Sequence, residues 1–190
     1  RDRLADEVYE VLMGGIDGWN ACRFLPEEIV RLAKAKLLLR EEDLDTDDWH
    51  RGSTINVEPC FGIREHAHFD SFPASAIRGV FLPLLRHHPR RAVDFIIELL
   101  NHAGSWYGEQ RWPYDRLEPA GQITIEVPEE TAVTQWANPR LWNLYRGHSV
   151  GPYILQSALM ALEAWLLEIC DLEGVDVEPW LLKILRESNN

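Results

Sequence analysis

The sequence predicts a mainly α-helical fold of about seven helices, stacked as irregular helical hairpins with one β-hairpin packed against them. Three observations carry this expectation. Ala92, Phe95, Ile96, Leu99, Leu100 and Ala103 recur at i, i+3, i+4, i+7, i+8 and i+11, the spacing of a single helical face. Apolar residues wrap most of the circumference of a helix from about Pro152 to Cys170. Strand periodicity is clear only where Ile123, Ile125 and Val127 alternate with Gln122, Thr124 and Glu126.

Taken in order, Leu4, Val8, Val11 and Leu12 fall on one helical face, and the run GGIDG then breaks the pattern. Pro26 opens the next helix at a position where a missing N–H costs nothing. Glu27 and Glu28 follow in its first turn, where the helix dipole favours acids. Ile29, Val30, Ala33 and Leu37 form its apolar stripe. From Arg40 to Gly62 no period is sustained, which predicts a long acidic loop with at most a short helical turn.

The segment AIRGVFLPLLRHH reads as a helix bent at Pro83, joined by a turn at His87 to Pro89 to the strongly amphipathic helix that follows. SWYGEQRWPYDR then reads as an aromatic loop. The hairpin, about residues 122–136, turns at PEET; an isolated two-stranded ribbon is marginal in water, so Ile123, Ile125 and Trp136 are expected to lie against the helices. Asn138-Pro139 predicts a capped helix start, with Gly147 as its end. The long helix to Cys170 is expected to be the most buried element, and Pro179 opens a last helix striped by Trp180, Leu181, Ile184 and Leu185. Sequential helix pairs with one proline-bent member are what a HEAT-like array provides.

A chain of 190 residues and 22.0 kDa accommodates one domain, residues 1–190. Its net charge of -12 argues against a nucleic-acid partner, because a phosphate backbone needs clustered bases. Cys22, Cys60 and Cys170 are odd in number and form no CxxC pair, so a reducing, cytoplasmic setting is expected. The apolar stretch from Val150 to Cys170 is interrupted by Gln156, Glu163 and Glu168, which fits a buried helix better than a membrane span. The chain opens directly on LADEVYEVL and ends on the apolar-striped EPWLLKILRESNN, from which we expect a segment of a longer polypeptide.

Two stretches, FPASAIRGVFLPLLRHHPRRAVDFIIELLNHA and NPRLWNLYRGHSVGPYILQSALMALEAWLLEI, resemble helical regions of very large bacterial proteins that carry a P-loop NTPase domain of the STAND type, linked to signalling and antiviral defence. The resemblance covers about half the chain. It implies a helical scaffold, sensor or connecting segment that contacts other domains or protein partners. No GxxxxGK[ST] loop occurs in these 190 residues, so NTP chemistry would lie outside them, and no cofactor is expected.

Each candidate site in the sequence also has a plainer reading. In GIREHAHFDS, His66 and His68 would point to one side of an extended segment, and Asp70 could join them, with Cys60 and Glu65 near in sequence. Such a set would suit a metal-dependent hydrolase, yet a polar loop with exposed histidines is preferred because no second ligand pair is spaced to match. In RHHPRRA, Arg90 and Arg91 stand in the first turn of a helix, where cations are disfavoured. Arg86, Arg90 and Arg91 could bind a phosphate or other anion there, while salt bridges to acids such as those between Arg40 and Asp48 are the preferred compensation. Trp106, Tyr107, Trp112 and Tyr114 with Glu109 and Asp115 could form a sugar platform, although packing onto the helices is preferred. In RGHSVG, His148 and Ser149 lack a nucleophile elbow, and Ser149 or Gly151 is expected to cap the long helix. Cys170 is expected on that helix's apolar face.

Overall fold

The computed structural model describes residues 16–40, 57–64, 73–109, 120–127, 132–144 and 151–189. Among these, seven α-helices and one antiparallel hairpin appear, the predicted fold class. In chain order they are α1 (Ile16–Phe24), α2 (Pro26–Leu37), a 3-10 turn (Pro59–Phe61), α3 (Phe81–His87), α4 (Pro89–Gly108), β1 (Gly121–Ile125), β2 (Val133–Ala137), α5 (Pro139–Trp142), α6 (Tyr153–Cys170) and α7 (Glu178–Glu187). The expected helix through Leu4 to Leu12 lies outside the described residues.

Proline placement explains four of the helix starts. Pro26, Pro89, Pro139 and Pro179 each stand at the first or second helical position of α2, α4, α5 and α7, where an intrahelical N–H is not required. Asn138 caps α5 as its sequence signals, its side-chain oxygen accepting from the Arg140 N–H at 2.8 Å.

The core is built on α4, which is covered by α2, α3, α6, α7, β2 and the 3-10 turn. Phe81 of α3 stacks on Phe95 of α4 with centroids 5.8 Å apart. α3 and α6 run in the same direction: the Ser75 N–H, leading into α3, donates to Ser157 Oγ near the start of α6, and Arg86 meets Glu168 at their far ends. Because neighbours surround α4, it buries eleven of 20 residues, whereas α6 buries eight of 18, all at or before Trp165. This corrects the expectation that α6 is the most buried element. α6 is long and apolar enough to cross a membrane, but its first three turns are spent on the core.

Other expectations also change. α1 carries Gly18 within it and brings Cys22 fully into the core, with its thiol toward the Val80 carbonyl at 3.8 Å, while the break expected at GGIDG follows a predicted helix that lies outside the described residues. The cost of one helical glycine, about 1 kcal/mol, is offset by such packing. α3 begins only at Phe81, so Pro83 falls in its first turn, where no N–H is needed and no bend is forced. Ser105 to Gly108 continue α4, so the first part of SWYGEQRWPYDR is helix and not loop.

Residues 57–64 are pinned between α2 and α4. Leu39 N–H donates to Gly62 O at 2.8 Å and Arg64 N–H to Leu37 O at 2.9 Å, while Phe61 stacks on Tyr107 at 5.0 Å. Gly62 is left-handed at φ +65°, and an added Cβ would fall 2.6 Å from His102 and 2.7 Å from Trp106. Glycine alone meets both demands.

The hairpin pairs Gly121 with Ala137, Ile123 with Gln135 and Ile125 with Val133. Trp136 packs on the core as expected, against the bare α-carbon of Gly108. Ile123 does not: it is 41% exposed, while its partner Gln135 is buried. The reason is position. β2 lies next to α4 and the residues after α7, and β1 lies outside it. Trp136 N–H donates to Asn189 O at 2.6 Å and Gln135 Nε2 to Ser188 O at 3.3 Å.

Candidate functional site

A concave surface runs along α4, between α2 and α7. Asp94, Glu98, Asn101, His102 and Ser105 are spaced at i, i+4, i+7, i+8 and i+11, which sets them on one side of α4, away from the residues that build its core face. Near the start of α4 lies a hollow of about 600 Å3, bounded by Lys34, His87, His88, Arg90, Arg91 and Trp180. Toward its end lies one of about 780 Å3, bounded by Leu39, Arg40, Asn101, His102, Ser105 and Trp106. Asp94 and Glu98 line both, so the two form one groove.

Most charges in this groove are already matched. Lys34 pairs with Glu98. Lys183 of α7 reaches Glu187 at 2.6 Å and Asp94 at 2.9 Å, and these hydrogen bonds, with Glu187 foremost, raise its pKa. The histidines serve the backbone: His88 Nε2 donates to Arg23 O at 2.8 Å, satisfying a carbonyl at the end of α1, and His102 Nε2 donates to Gly62 O at 3.0 Å. Asn101 and Ser105 clamp the residues after α7. Asn101 Nδ2 donates to Glu187 O at 2.6 Å, its Oδ1 accepts from Asn189 N–H at 2.8 Å, and Asn189 Nδ2 donates to Ser105 Oγ at 2.9 Å.

The three arginines singled out for anion binding are divided. Arg86 makes a two-pronged pair with Glu168, with Nε to Oε2 at 2.9 Å, and lies over the Trp19 ring at 5.6 Å. That hydrogen bonding raises the Arg86 pKa and lowers that of Glu168. Arg91 pairs with Glu27 of α2. Arg90 lines the groove, is exposed, and has no ion-pair partner among the described residues. Compensation by acids was expected, but the described partners are Glu27 and Glu168; residues 41–48 lie outside the described residues.

His66, His68 and Asp70 also lie outside the described residues, as do Glu65, Trp112, Tyr114, Asp115, His148 and Ser149. Among the described residues no group of three or more His, Cys, Asp or Glu is placed to hold a metal. Cys60 is buried in the 3-10 turn, where desolvation pushes its thiol up to about 11. Trp106 and Tyr107 are core residues, which removes two rings from any sugar platform. α6 is preceded by Pro152 in place of a side-chain cap, and Cys170 is exposed, not held on the apolar face.

A second surface feature emerges at α7. With about 100° per residue, Trp180 and Ile184 form its inward edge, Lys183 and Glu187 turn toward α4, and Leu181 and Leu185 lie on the opposite flank. Leu181 is 51% and Leu185 37% exposed, and Leu167, Leu172 and Val175 are also exposed where α6 turns into α7. Trp180 meets Trp165 edge-on at 5.1 Å, so the inward edge is anchored while the leucine flank is open. The apolar stripe was legible in the sequence; which part of it stays open was not.

Comparison with protein-family models returns no match, and comparison with curated proteins returns none that is significant. The functional reading therefore rests on the chain's own residues.

Proposed function

We propose that this chain is a non-catalytic helical scaffold or sensor segment of a large cytoplasmic bacterial protein, making contacts with other domains or with protein partners. The observation that carries this reading is the open leucine flank of α7, Leu181 and Leu185, continuous with an anchored inner edge. An amphipathic helix whose apolar arc exceeds what its neighbours cover is the end face of a helix stack that another helix would complete. The charge-matched groove along α4 supports the same reading, since its carboxylates and imidazoles are engaged in holding the fold. The resemblance to STAND-type proteins supplies the setting, with nucleotide chemistry outside these residues.

The test is side-chain footprinting of Leu181 and Leu185 in the 190-residue chain and in the natural polypeptide that contains it. Protection of both leucines in the larger protein, abolished by Leu181→Glu with Leu185→Glu, is the expected result. Equal labelling in the two, or a natural polypeptide no longer than this chain, would sink the reading.

One observation favours a second reading, anion recognition: Arg90, without an ion-pair partner among the described residues, stands beside a groove that also holds Arg91 and Lys34. Phosphate compounds should then raise the melting temperature of the wild-type chain but not of Arg90→Ala. No shift in the wild type ends this alternative.

A further inference from the structure

We infer that the chain self-associates through the outer edge of β1, with two copies pairing their β1 strands antiparallel about a two-fold axis at Ile123. The inference starts from the hydrogen-bond phase of the hairpin. Trp136 sends its N–H away from β1, to Asn189, so the Gln122–Trp136 pair is a non-hydrogen-bonded one. Its neighbours Gly121, Ile123 and Ile125 therefore turn their backbone groups toward β2, and Gln122 and Thr124 present theirs on the outer edge of β1.

Among the described residues, that edge carries none of the usual protections. Gly121 to Thr124 are exposed, the five-residue register has no bulge, and the strand holds neither lysine nor proline. Natural edge strands are commonly blunted by one of these devices. Ile123, with strand-forming side-chain chemistry, is left 41% exposed beside the buried Gln135.

The edge is complementary to itself in one register. Gln122 and Thr124 of one copy lie opposite Thr124 and Gln122 of the other, and each such pair exchanges two backbone hydrogen bonds. Ile123 then faces Ile123 of the second copy in a non-hydrogen-bonded pair, with α-carbons about 4.5 Å apart and side chains covering each other. Glu126, the nearest charge, falls opposite Ala120 and not opposite its own copy. No like charges meet, and the two hairpins become one four-stranded sheet, which satisfies the need for more than two strands.

The experiment uses the whole chain. Light scattering over a concentration series should show the mass rising to twice 22.0 kDa. Thr124→Pro should hold it at the monomer mass while the helical spectrum is unchanged, because that N–H points away from β2. Oxidation in a Cys170→Ser background fixes the register and does not depend on Thr124→Pro folding. Ile123→Cys should cross-link to a dimer, whereas Ile125→Cys should not, its two copies being displaced by four residues or roughly 14 Å. Leu181→Glu with Leu185→Glu should leave the dimer intact, which separates this surface from the α7 flank. A wild-type monomer at every concentration, a dimer lost only with the leucine pair, or equal cross-linking at 123 and 125 would each overturn the inference.

Discussion

Gly108→Ala sets two effects of opposite sign against each other, and the structure says which wins. Gly108 closes α4 with ordinary helical geometry, so alanine should gain up to about 1 kcal/mol from helix propensity. The new Cβ, however, would fall 2.5 Å from Cδ2 and Cε3 of Trp136, where carbon atoms normally sit about 3.5–4.0 Å apart. Cδ2 stands at the ring fusion of the indole and Cε3 is the ring carbon bonded to it, so no flexible tip can swing aside, and the ring must retreat by more than about 1 Å. Such overpacking costs about 1–3 kcal/mol. The net loss should be about 1–2 kcal/mol, a fall in melting temperature of roughly 3–6 °C for a chain of this length. A double-mutant cycle makes the assay specific. In a Trp136→Ala background the clash is gone, and Gly108→Ala should become neutral or stabilising. Equal destabilisation in both backgrounds would refute the docking of the hairpin through Trp136.

Gly62→Ala should cost about 2–5 kcal/mol in chemical denaturation, combining about 1–2 for the left-handed backbone with about 1–3 for overlap with His102 and Trp106; a loss below about 1 kcal/mol would show that residues 57–64 do not pack as described. At pH 8, a disulfide reagent should titrate Cys170 in the folded chain and all three cysteines only after unfolding, because burial pushes Cys22 up to about 12 and Cys60 up to about 11. Rapid reaction of two thiols in the native state would contradict the core. Glu168→Gln tests the Arg86 pair through its pH dependence. The folded carboxyl titrates below its usual range, so its stabilisation is present above that range and fades as pH falls through the lowered value. With both partners about two-fifths exposed, the loss at neutral pH should be no more than about 1 kcal/mol, and the variant and wild-type melting curves should converge in acid. A gap that persists in acid would assign the effect to packing.

What was legible in the sequence was local. Proline at the start of α2, α4, α5 and α7, the Asn138 cap and the 3.6-residue stripe of α4 each act within a turn or two, so the residues announce the element without knowing its neighbours. The arginine cluster shows where that reach ends. Arg90 and Arg91 at a helix start demanded compensation, and the demand was readable; the partners, Glu27 for Arg91 and Glu168 for the neighbouring Arg86, stand far away in sequence and could not be read. The same holds for the clamp by Asn101 and Ser105, which are ordinary polar-face residues until Asn189 arrives 88 positions after Asn101.

The two apolar surfaces left open have different origins in this light. Leu181 and Leu185 belong to a stripe of which only the Trp180 and Ile184 edge is packed against the core. Ile123 follows the strand period and fails to reach the helices because β2 occupies the inner position and spends it on Gln135. A buried glutamine opposite an exposed isoleucine inverts the usual pattern of a two-layer packing. The inversion is removed if the hairpin has a second neighbour on its outer edge, since Ile123 then becomes an interior position of a wider sheet. If, as proposed above, a helix covers the α7 flank and a strand the β1 edge, the two surfaces take different partners and can be disrupted one at a time.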